Sequence, residues 1–293
     1  MRYRRKHSIL IKKKHIKIIA PILAVIIIIV VIVTVTSANK IRSDKQKAVD
    51  HILQIGIINI GLRGDIGALC TYNTESQSFE GLEKDIADEI VSRLFGGDII
   101  VNYITVNSET KDALIRIGDL DIALGASLES DISGVAYSST YYTDGSAFLV
   151  TEGEMLSQDG LGGRAVAIVQ ASLAAGENEK DSGVNRMQIY LDTQGIDAKV
   201  KVFASYPEAI DALREGFVGG VCANEIFLKL HGKKGMLILP ERFLPHHYRV
   251  EASESLGALN DAISDVITQM REDGTLDALI AKWNLIDYAA LEE

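Results

Sequence analysis

Two polar side chains directly follow predicted strands, where a folded chain can present them to a small solute. Asp65 follows an isoleucine-rich segment, and Ser172 follows the apolar stretch 164–169. A carboxylate there can pair with a cation, and a serine near a helix N-terminus can help backbone N–H groups hold an anion. Each also has a purely structural interpretation, because Asp favours turns and Ser favours helix N-caps. Both residues are therefore candidate ligand contacts.

Sequence motifs for covalent catalysis or metal binding are missing. The chain has no nucleophile elbow with a Ser-His-Asp spacing, no P-loop and no G-x-G-x-x-G motif. The adjacent His246 and His247 are the nearest approach to a metal motif. Neighbouring strand residues point to opposite faces, and no further His or Cys cluster supplies the remaining ligands. We therefore expect no metal and no cofactor.

Alternating strands and helices would position these residues. In the first half we predict strands at 52–62, 99–106 and 121–124 and helices at 82–94 and 110–117. In the second half we predict strands at 164–169, 199–203, 219–223 and 236–239 and helices at 184–193 and 206–214. The chain then returns through a crossing strand at 247–251 to helices at 256–270 and 276–283. Such alternation is typical of parallel, doubly wound α/β sheets.

Two crossings between two such units predict a hinge, with a ligand bound at the strand ends between the lobes. We expect lobe 1 to comprise residues 51–148 and 248–293, and lobe 2 to comprise 149–247. Residues 37–50 are expected to be a polar linker.

The N-terminus has the pattern of a membrane segment. Residues 1–17 form a basic leader with eight Lys or Arg and no acid, and residues 18–36 form an apolar run. Nineteen helical residues span about 28 Å, close to the hydrocarbon thickness of a bilayer. The basic flank predicts a single-pass anchor with the domain outside the cell membrane. The alternative is a signal peptide cleaved near Ser37, which would release a secreted protein.

Charge and cysteine content narrow the function further. Without the basic leader, 22 basic residues face 40 acidic ones, a net charge of −18. So acidic a domain is a poor partner for nucleic acid. Cys70 and Cys222 are far apart in sequence, and we expect both to be reduced and at least one to be buried.

Several fragments, in order, resemble one known family. They are GLRGD at 61–65, FEGLEKD at 79–85, GDLDIALG at 118–125, YSSTYY at 137–142, and DGT with KW at 273–275 and 282–283. They are similar to the extracellular solute-binding proteins, family 3, which feed amino acids to ABC transporters. The resemblance covers about residues 53–285. It implies the type 2 periplasmic-binding-protein fold: two doubly wound α/β lobes joined by a two-strand hinge, here preceded by one transmembrane helix.

The resemblance also implies where a ligand would bind. The implied positions are Asp65, Leu69, Tyr72, Lys111, Gly125, Ser127, Glu129, Asp131, Ser172 and Asn224. Among them, Tyr72 would act as an aromatic lid over the ligand, although a partly exposed loop tyrosine is an equal alternative. Glu83, Asp85, Tyr141 and Tyr142 are expected to be structural.

The chain departs from the family pattern at the two ends of its amino-acid clamp. The family usually places an Arg after the third strand to bind the ligand carboxylate, but no Arg occurs from 117 to 163. The family's lobe 2 Asp, which pairs with the α-ammonium group, falls at Asn224. A carboxylate facing Glu129 and Asp131 would be repelled, so a cationic or uncharged polar solute is expected. Lys111 could restore an anion contact.

The function implied is capture of a small polar solute and its delivery to ABC permease and ATPase subunits. No catalytic activity is expected. A membrane-tethered ligand sensor is the main alternative. A dehydratase-like enzyme that uses a carboxylic acid such as Glu129 is a further one.

Overall fold

The computed structural model describes residues 13–97, 99–169 and 183–291, with side chains from residue 26 onward. The first element is α1, a continuous 43-residue helix over Lys13–Ile55, about 65 Å long. Among the described residues, one helical segment, Ile26–Ile55, is long and apolar enough to cross a membrane, and its Ile and Val side chains from 26 to 35 are exposed.

Helix α1 also packs against the folded domain. Ala48, Val49 and Ile52 are buried in the first hydrophobic core, and Lys45 forms an ion pair of 2.6 Å with Asp265. The predicted linker at 37–50 is therefore helical, and its last residues belong to lobe 1. The predicted strand start at residue 52 is wrong, because the helix continues to Ile55.

The first half of the chain builds most of lobe 1. Its elements are β1 (Ile57–Arg63), β2 (Thr71–Asn73), β3 (Ser78–Glu80), α2 (Leu82–Phe95), β4 (Ile100–Val106), α3 (Lys111–Ile117) and β5 (Ile122–Leu124). Gly81 precedes α2 with φ 139°, and a Cβ there would lie 2.3 Å from the carbonyl oxygen of Leu69. The close approach of the two chain segments therefore requires glycine at this helix start.

The remaining elements build lobe 2 and return to lobe 1. They are β6 (Val135–Thr151), β7 (Ala165–Val169), α4 (Gly183–Thr193), β8 (Lys199–Phe203), α5 (Tyr206–Arg214), β9 (Gly220–Asn224), α6 (Glu225–His231), β10 (Met236–Ile238), β11 (Phe243–Ser253), α7 (Leu259–Glu272) and α8 (Thr275–Lys282). Helix α5 is capped by Ser205, whose hydroxyl accepts the N–H of Glu208.

Nine strands form one sheet that runs through both lobes. The order is β4-β1-β5-β11-β6-β9-β7-β8, and β10 pairs with β6. Pairing is parallel within each lobe, β1 with β4 and β5, and β7 with β8 and β9. The long strands β6 and β11 pair antiparallel and join the two halves.

The hinge lies in these two long strands. Strand β11 contacts β5 through Glu251 and Ala252, whereas β6 contacts β9 through residues 146–149. Between those contacts the β6–β11 register shifts at Phe243/Pro245, Tyr248/Arg249 and Arg249/Glu251. Register shifts interrupt the ladder and bend a strand. The fold is therefore the predicted one, two α/β lobes joined by two crossing strands.

The hydrophobic cores follow this division. One core packs α1, α2 and α7 against the lobe 1 sheet, and a smaller one packs α3 against its other face. Two further cores cover the faces of the lobe 2 sheet. Cys70 and Cys222 are both free and buried, which confirms that prediction.

The family-like fragments meet in space through specific contacts. Asp85 accepts hydrogen bonds from the Trp283 indole at 2.6 Å and the Lys282 ammonium at 2.7 Å. The FEGLEKD fragment is thereby tied to the KW pair almost 200 residues away. These residues stabilise the fold, as expected for Asp85.

Candidate functional site

The candidate site lies where the carboxyl ends of the lobe 1 strands face lobe 2. Strand β1 ends at Arg63 and β5 ends just before Gly125. The loop after β1 approaches lobe 2, because a Cβ on Gly67 would lie 3.6 Å from Leu230 of α6. Ser172, another predicted ligand contact, lies outside the described residues.

Arg63 and Asp65 form an ion pair at this edge. The Arg63 Nε donates to Asp65 Oδ1 and its Nη2 donates to Oδ2, both at 3.0 Å. The Asp65 side chain is 66% exposed and that of Arg63 15%. Asp65 thus lies at the predicted place, but its carboxylate already has a cation.

Lobe 2 presents an aromatic cluster towards this pair. The ring of Tyr206 stacks on Phe227 at 5.6 Å and on His231 at 4.5 Å between ring centroids. Burial raises the pKa of Tyr206, and the positive charge of Arg63 opposes that rise. Burial lowers the pKa of His231, and the Asp65 charge opposes that change. Charges on lobe 1 are therefore within electrostatic reach of rings on lobe 2.

Lys111 is held in a buried ion pair. Its ammonium contacts Glu251 on β11 and lies 3.0 Å from Asp112. The Lys111 and Glu251 side chains are 7% and 2% exposed. Burial raises the pKa of Glu251, whereas Lys111 and the Ser127 hydroxyl lower it. Lys111 therefore joins α3 to the hinge, and Ser127 is buried beside them.

Glu129 is paired as well. Its carboxylate lies 3.1 Å from Nη2 of Arg249 on β11, and Arg249 also donates to the carbonyl of Ser138. Asp131 is exposed in the same loop. Glu129, one of the two acids that were expected to repel an anion, is thus paired with an arginine from a distant strand.

Glu83 fixes the loop that carries Gly125 and Ser127. It is fully buried at the start of α2, and its Oε1 accepts the Ala126 N–H at 2.7 Å and the Tyr141 hydroxyl at 2.5 Å. Burial raises the pKa of Glu83, while Tyr141, Ala126 and Arg63 lower it. The residue links loop, helix and hinge, which agrees with its predicted structural role.

Asn224 lies in the hinge network. Its amide donates to the Tyr248 hydroxyl at 2.5 Å, and that hydroxyl lies 3.4 Å from Oδ2 of Asp144 on β6. Asp144 is completely buried, and burial raises its pKa to about 7, although the Ile226 N–H opposes the rise. Asn224 therefore supports the crossing strands with its amide group.

Two further predicted contacts pack inside lobe 1. Leu69 is completely buried in the first core. The Tyr72 ring packs edge-on against Phe79 at 4.9 Å between centroids, within the β2–β3 hairpin. Tyr72 thus packs on its own hairpin, and its role as an aromatic lid stays a prediction.

The two histidines have separate partners. His246 Nε2 lies 2.9 Å from the Ser146 hydroxyl, and His247 Nδ1 lies 3.1 Å from the Thr143 hydroxyl. Within the described residues, no group of three or more His, Cys, Asp or Glu side chains could hold a metal ion.

Sequence reasoning missed Arg63, Tyr206, Phe227 and Arg249. Arg63 has a recognisable signal, since it is the one charged residue of its strand and stands at the end of that strand. Tyr206 follows a strand at a helix start, which is also a position that can face a ligand. Arg249 reaches the loop of Glu129 only through the β6–β11 crossing, and no local pattern indicates that contact.

Comparisons with known proteins agree with this architecture. Residues 58–286 match the family model for bacterial extracellular solute-binding proteins, family 3. The ABC transporter glutamine-binding protein GlnH of Bacillus subtilis (strain 168) is 25% identical over 232 residues, covering 77% of this chain and 80% of GlnH.

Two solved structures have the same fold. The probable amino-acid ABC transporter extracellular-binding protein ytmK from Bacillus subtilis has a TM-score of 0.64 and 14% identity, covering 78% of this chain and 97% of that one. The ancestral amino-acid-binding protein AncCDT-1, a precursor of cyclohexadienyl dehydratase, has a TM-score of 0.58 and 18% identity, covering 80% and 98%. The family match spans most of the chain, from the first sheet strand past the last helix. The protein belongs to the bacterial extracellular solute-binding proteins, family 3.

Proposed function

We propose that the protein captures an amino acid or a related small polar solute between its lobes and delivers it to an ABC permease. The observation that carries this proposal is the hinge. Two strands with register shifts join the lobe 1 and lobe 2 parts of the sheet, and the Arg63–Asp65 pair and the Tyr206 cluster lie on opposite sides of that join. Ligand that bridges the lobes would shift the population towards a closed form.

The partners follow from the same proposal. Permease subunits in the membrane and a cytoplasmic ATPase would complete the importer. Helix α1 would anchor the protein, with the folded domain outside the cell membrane. Its buried contacts at Ala48, Val49 and Ile52 support a fixed orientation of the domain relative to the helix.

Those contacts also favour a second candidate, a membrane-tethered sensor. A helix packed into a lobe core can pass a change in lobe position to a membrane partner. Genes for a permease and an ATPase beside this gene would support import, and genes for a regulator would support sensing.

The geometry gives little support to a dehydratase-like enzyme. Glu129 is exposed and pairs with Arg249. A general acid needs surroundings that keep its carboxyl group protonated, such as burial without a cation.

The test is direct binding. Full-length protein in nanodiscs is titrated calorimetrically with the twenty L-amino acids, polyamines and small peptides. A solute at 100 times its Kd should raise the unfolding free energy by about 2.7 kcal/mol and reduce the radius of gyration in solution scattering. Binding without any compaction would contradict hinge closure, and absence of binding across the panel would contradict solute capture.

A further inference from the structure

Arg63 is placed as a fixed cation at the edge of lobe 1. Its aliphatic stem lies across Gly125, where a Cβ would be 3.0 Å from both its Cγ and its Cδ. Glycine at the end of β5 therefore makes room for an arginine at the end of β1. With 15% of its side chain exposed, Arg63 keeps a small open face.

Arg63 ends β1, and the loop that follows it approaches α6 of lobe 2, because a Cβ on Gly67 would lie 3.6 Å from Leu230. The positive charge of Arg63 opposes the rise that burial causes in the pKa of Tyr206 in lobe 2 and of Glu83 in lobe 1. Glu83 is held by Tyr141 and Ala126 at the base of the loop. Within the described residues, Asp65 is the one carboxylate that forms an ion pair with Arg63.

The Arg63–Asp65 contact has the geometry of carboxylate recognition. Two parallel N–H···O bonds of 3.0 Å join the guanidinium to both carboxylate oxygens. Asp65 is an exposed residue of a short turn, and its backbone is tied by a bridge to Thr71 and by the neighbouring Tyr72 N–H bond to Gly64. The Asp65 end of this pair is exposed to solvent, and ion pairs with an exposed partner contribute little to stability, so a solute carboxylate can replace Asp65 at little cost.

We infer that Arg63 binds the carboxylate of the transported solute, and that Asp65 occupies Arg63 while the site is empty. This inference rests on the proposed function and defines the ligand class. The solute carries a carboxylate, and its apolar body lies against Tyr206 of lobe 2. A solute that carries only positive charge would be repelled by the guanidinium. The inferred ligand therefore differs from the cationic or uncharged solute that was expected from the sequence.

The experiment compares each L-amino acid with its α-amide, which keeps the body and removes the negative charge. Full-length protein in nanodiscs is titrated with both members of each pair. Wild type should bind an acid and bind its amide at least about tenfold more weakly. Arg63→Gln should weaken binding of that acid about tenfold to a hundredfold, and Arg63→Lys should retain part of the affinity.

Two further variants separate the roles of the neighbours. Asp65→Asn removes the competing carboxylate and should tighten binding severalfold. Gly125→Ala pushes the Arg63 stem by a few tenths of an ångström and should weaken binding by a smaller factor than Arg63→Gln. The matched controls are Arg214→Gln and Asp211→Asn, which break an exposed pair on α5 and should leave affinity unchanged.

The outcomes distinguish this inference from the proposed function. If wild type binds nothing in the panel, the proposed function fails and the Arg63 assignment fails with it. If wild type binds a solute and folded Arg63→Gln binds it within twofold, the Arg63 assignment alone is wrong. Equal affinity for acid and amide, or weaker binding by Asp65→Asn, would also overturn it.

Discussion

Two ion pairs lie beside the gap between the lobes, and burial separates their roles. Lys111–Glu251 is almost completely buried and joins α3 to a crossing strand. Arg63–Asp65 keeps an exposed carboxylate and stays within one turn. Sequence reasoning took Lys111 as a candidate ligand contact and did not consider Arg63. A charged residue near a cleft becomes a ligand candidate only when its existing partner can be displaced.

Displacement is costly for the buried pair. Removing either partner leaves a charge without compensation in a poorly solvated place, which costs about 3–5 kcal/mol in comparable cases. For the exposed pair, water and solute can replace the partner. The buried pair should therefore control stability, and the exposed pair should control binding.

The largest expected effect is that of Lys111→Met. The variant should lose about 3–5 kcal/mol of unfolding free energy at pH 8, because Glu251 remains buried without its cation. The loss should be smaller at pH 5, since a buried carboxyl with a raised pKa is more easily protonated there. Urea unfolding at both pH values measures it.

The controls for this prediction also replace charged side chains by methionine. Lys47→Met removes an exposed lysine and should change the unfolding free energy very little. Adding Glu251→Met to Lys111→Met should recover much of the loss, because no unpaired charge is left. A loss below about 1 kcal/mol in Lys111→Met would contradict the burial argument.

Much of the fold was predictable because local patterns determine it. The stripe of apolar residues predicted α2 at 82–94, one residue short of its observed end, and the helix predicted at 206–214 coincides with α5. The hairpin of β2 and β3 and the short helix α6 were missed, whereas the equally short α3, β5 and β10 were predicted. Elements of this length carry little periodicity, so their prediction from sequence is uneven. The end of α1 was missed because its last turns are held by tertiary contacts with the core.

The candidate site was less predictable than the fold. Asp65 and Gly125 lie at the sheet edge as expected for residues that follow strands, and their contact with a ligand stays a prediction. The partners of Lys111 and Glu129 were not found, since Glu251 and Arg249 come from a strand more than 100 residues away. The charge around the gap depends on those distant partners, which no local pattern in the sequence indicates.

Asp144 should have an effect on stability between those of the two ion pairs. It is a buried carboxylate with no cation bonded to it among the described residues. Burial raises its pKa to about 7 from an ordinary value of 3.8. The folded state therefore holds a proton that the unfolded state releases, and stability falls as pH rises from about 4 to about 7. The total loss is on the order of 4 kcal/mol at most.

Asp144→Asn should remove this pH dependence. Relative to wild type, the variant should gain stability between about pH 4 and pH 7 and level off above that, as measured by denaturant unfolding at each pH from 4 to 8. Asp131→Asn, an exposed carboxylate on a loop, is the control and should leave the wild-type slope unchanged. A difference between Asp144→Asn and wild type that stays constant across this range would contradict the raised pKa.

The smallest expected effect on stability is that of Arg63→Gln. Its partner is exposed, and glutamine keeps part of the stem that packs on Gly125. The unfolding free energy should therefore fall by less than about 1 kcal/mol, measured by urea unfolding without ligand. Comparison with Lys111→Met at the same pH is the critical contrast, because the two variants each remove one cation near the gap.

A loss above about 2 kcal/mol in Arg63→Gln would mean that Arg63 holds the fold together, and a binding defect in that variant would then follow from damaged structure. A small loss together with a large binding defect would support the assignment of Arg63 to the solute, because the fold of the variant is then intact.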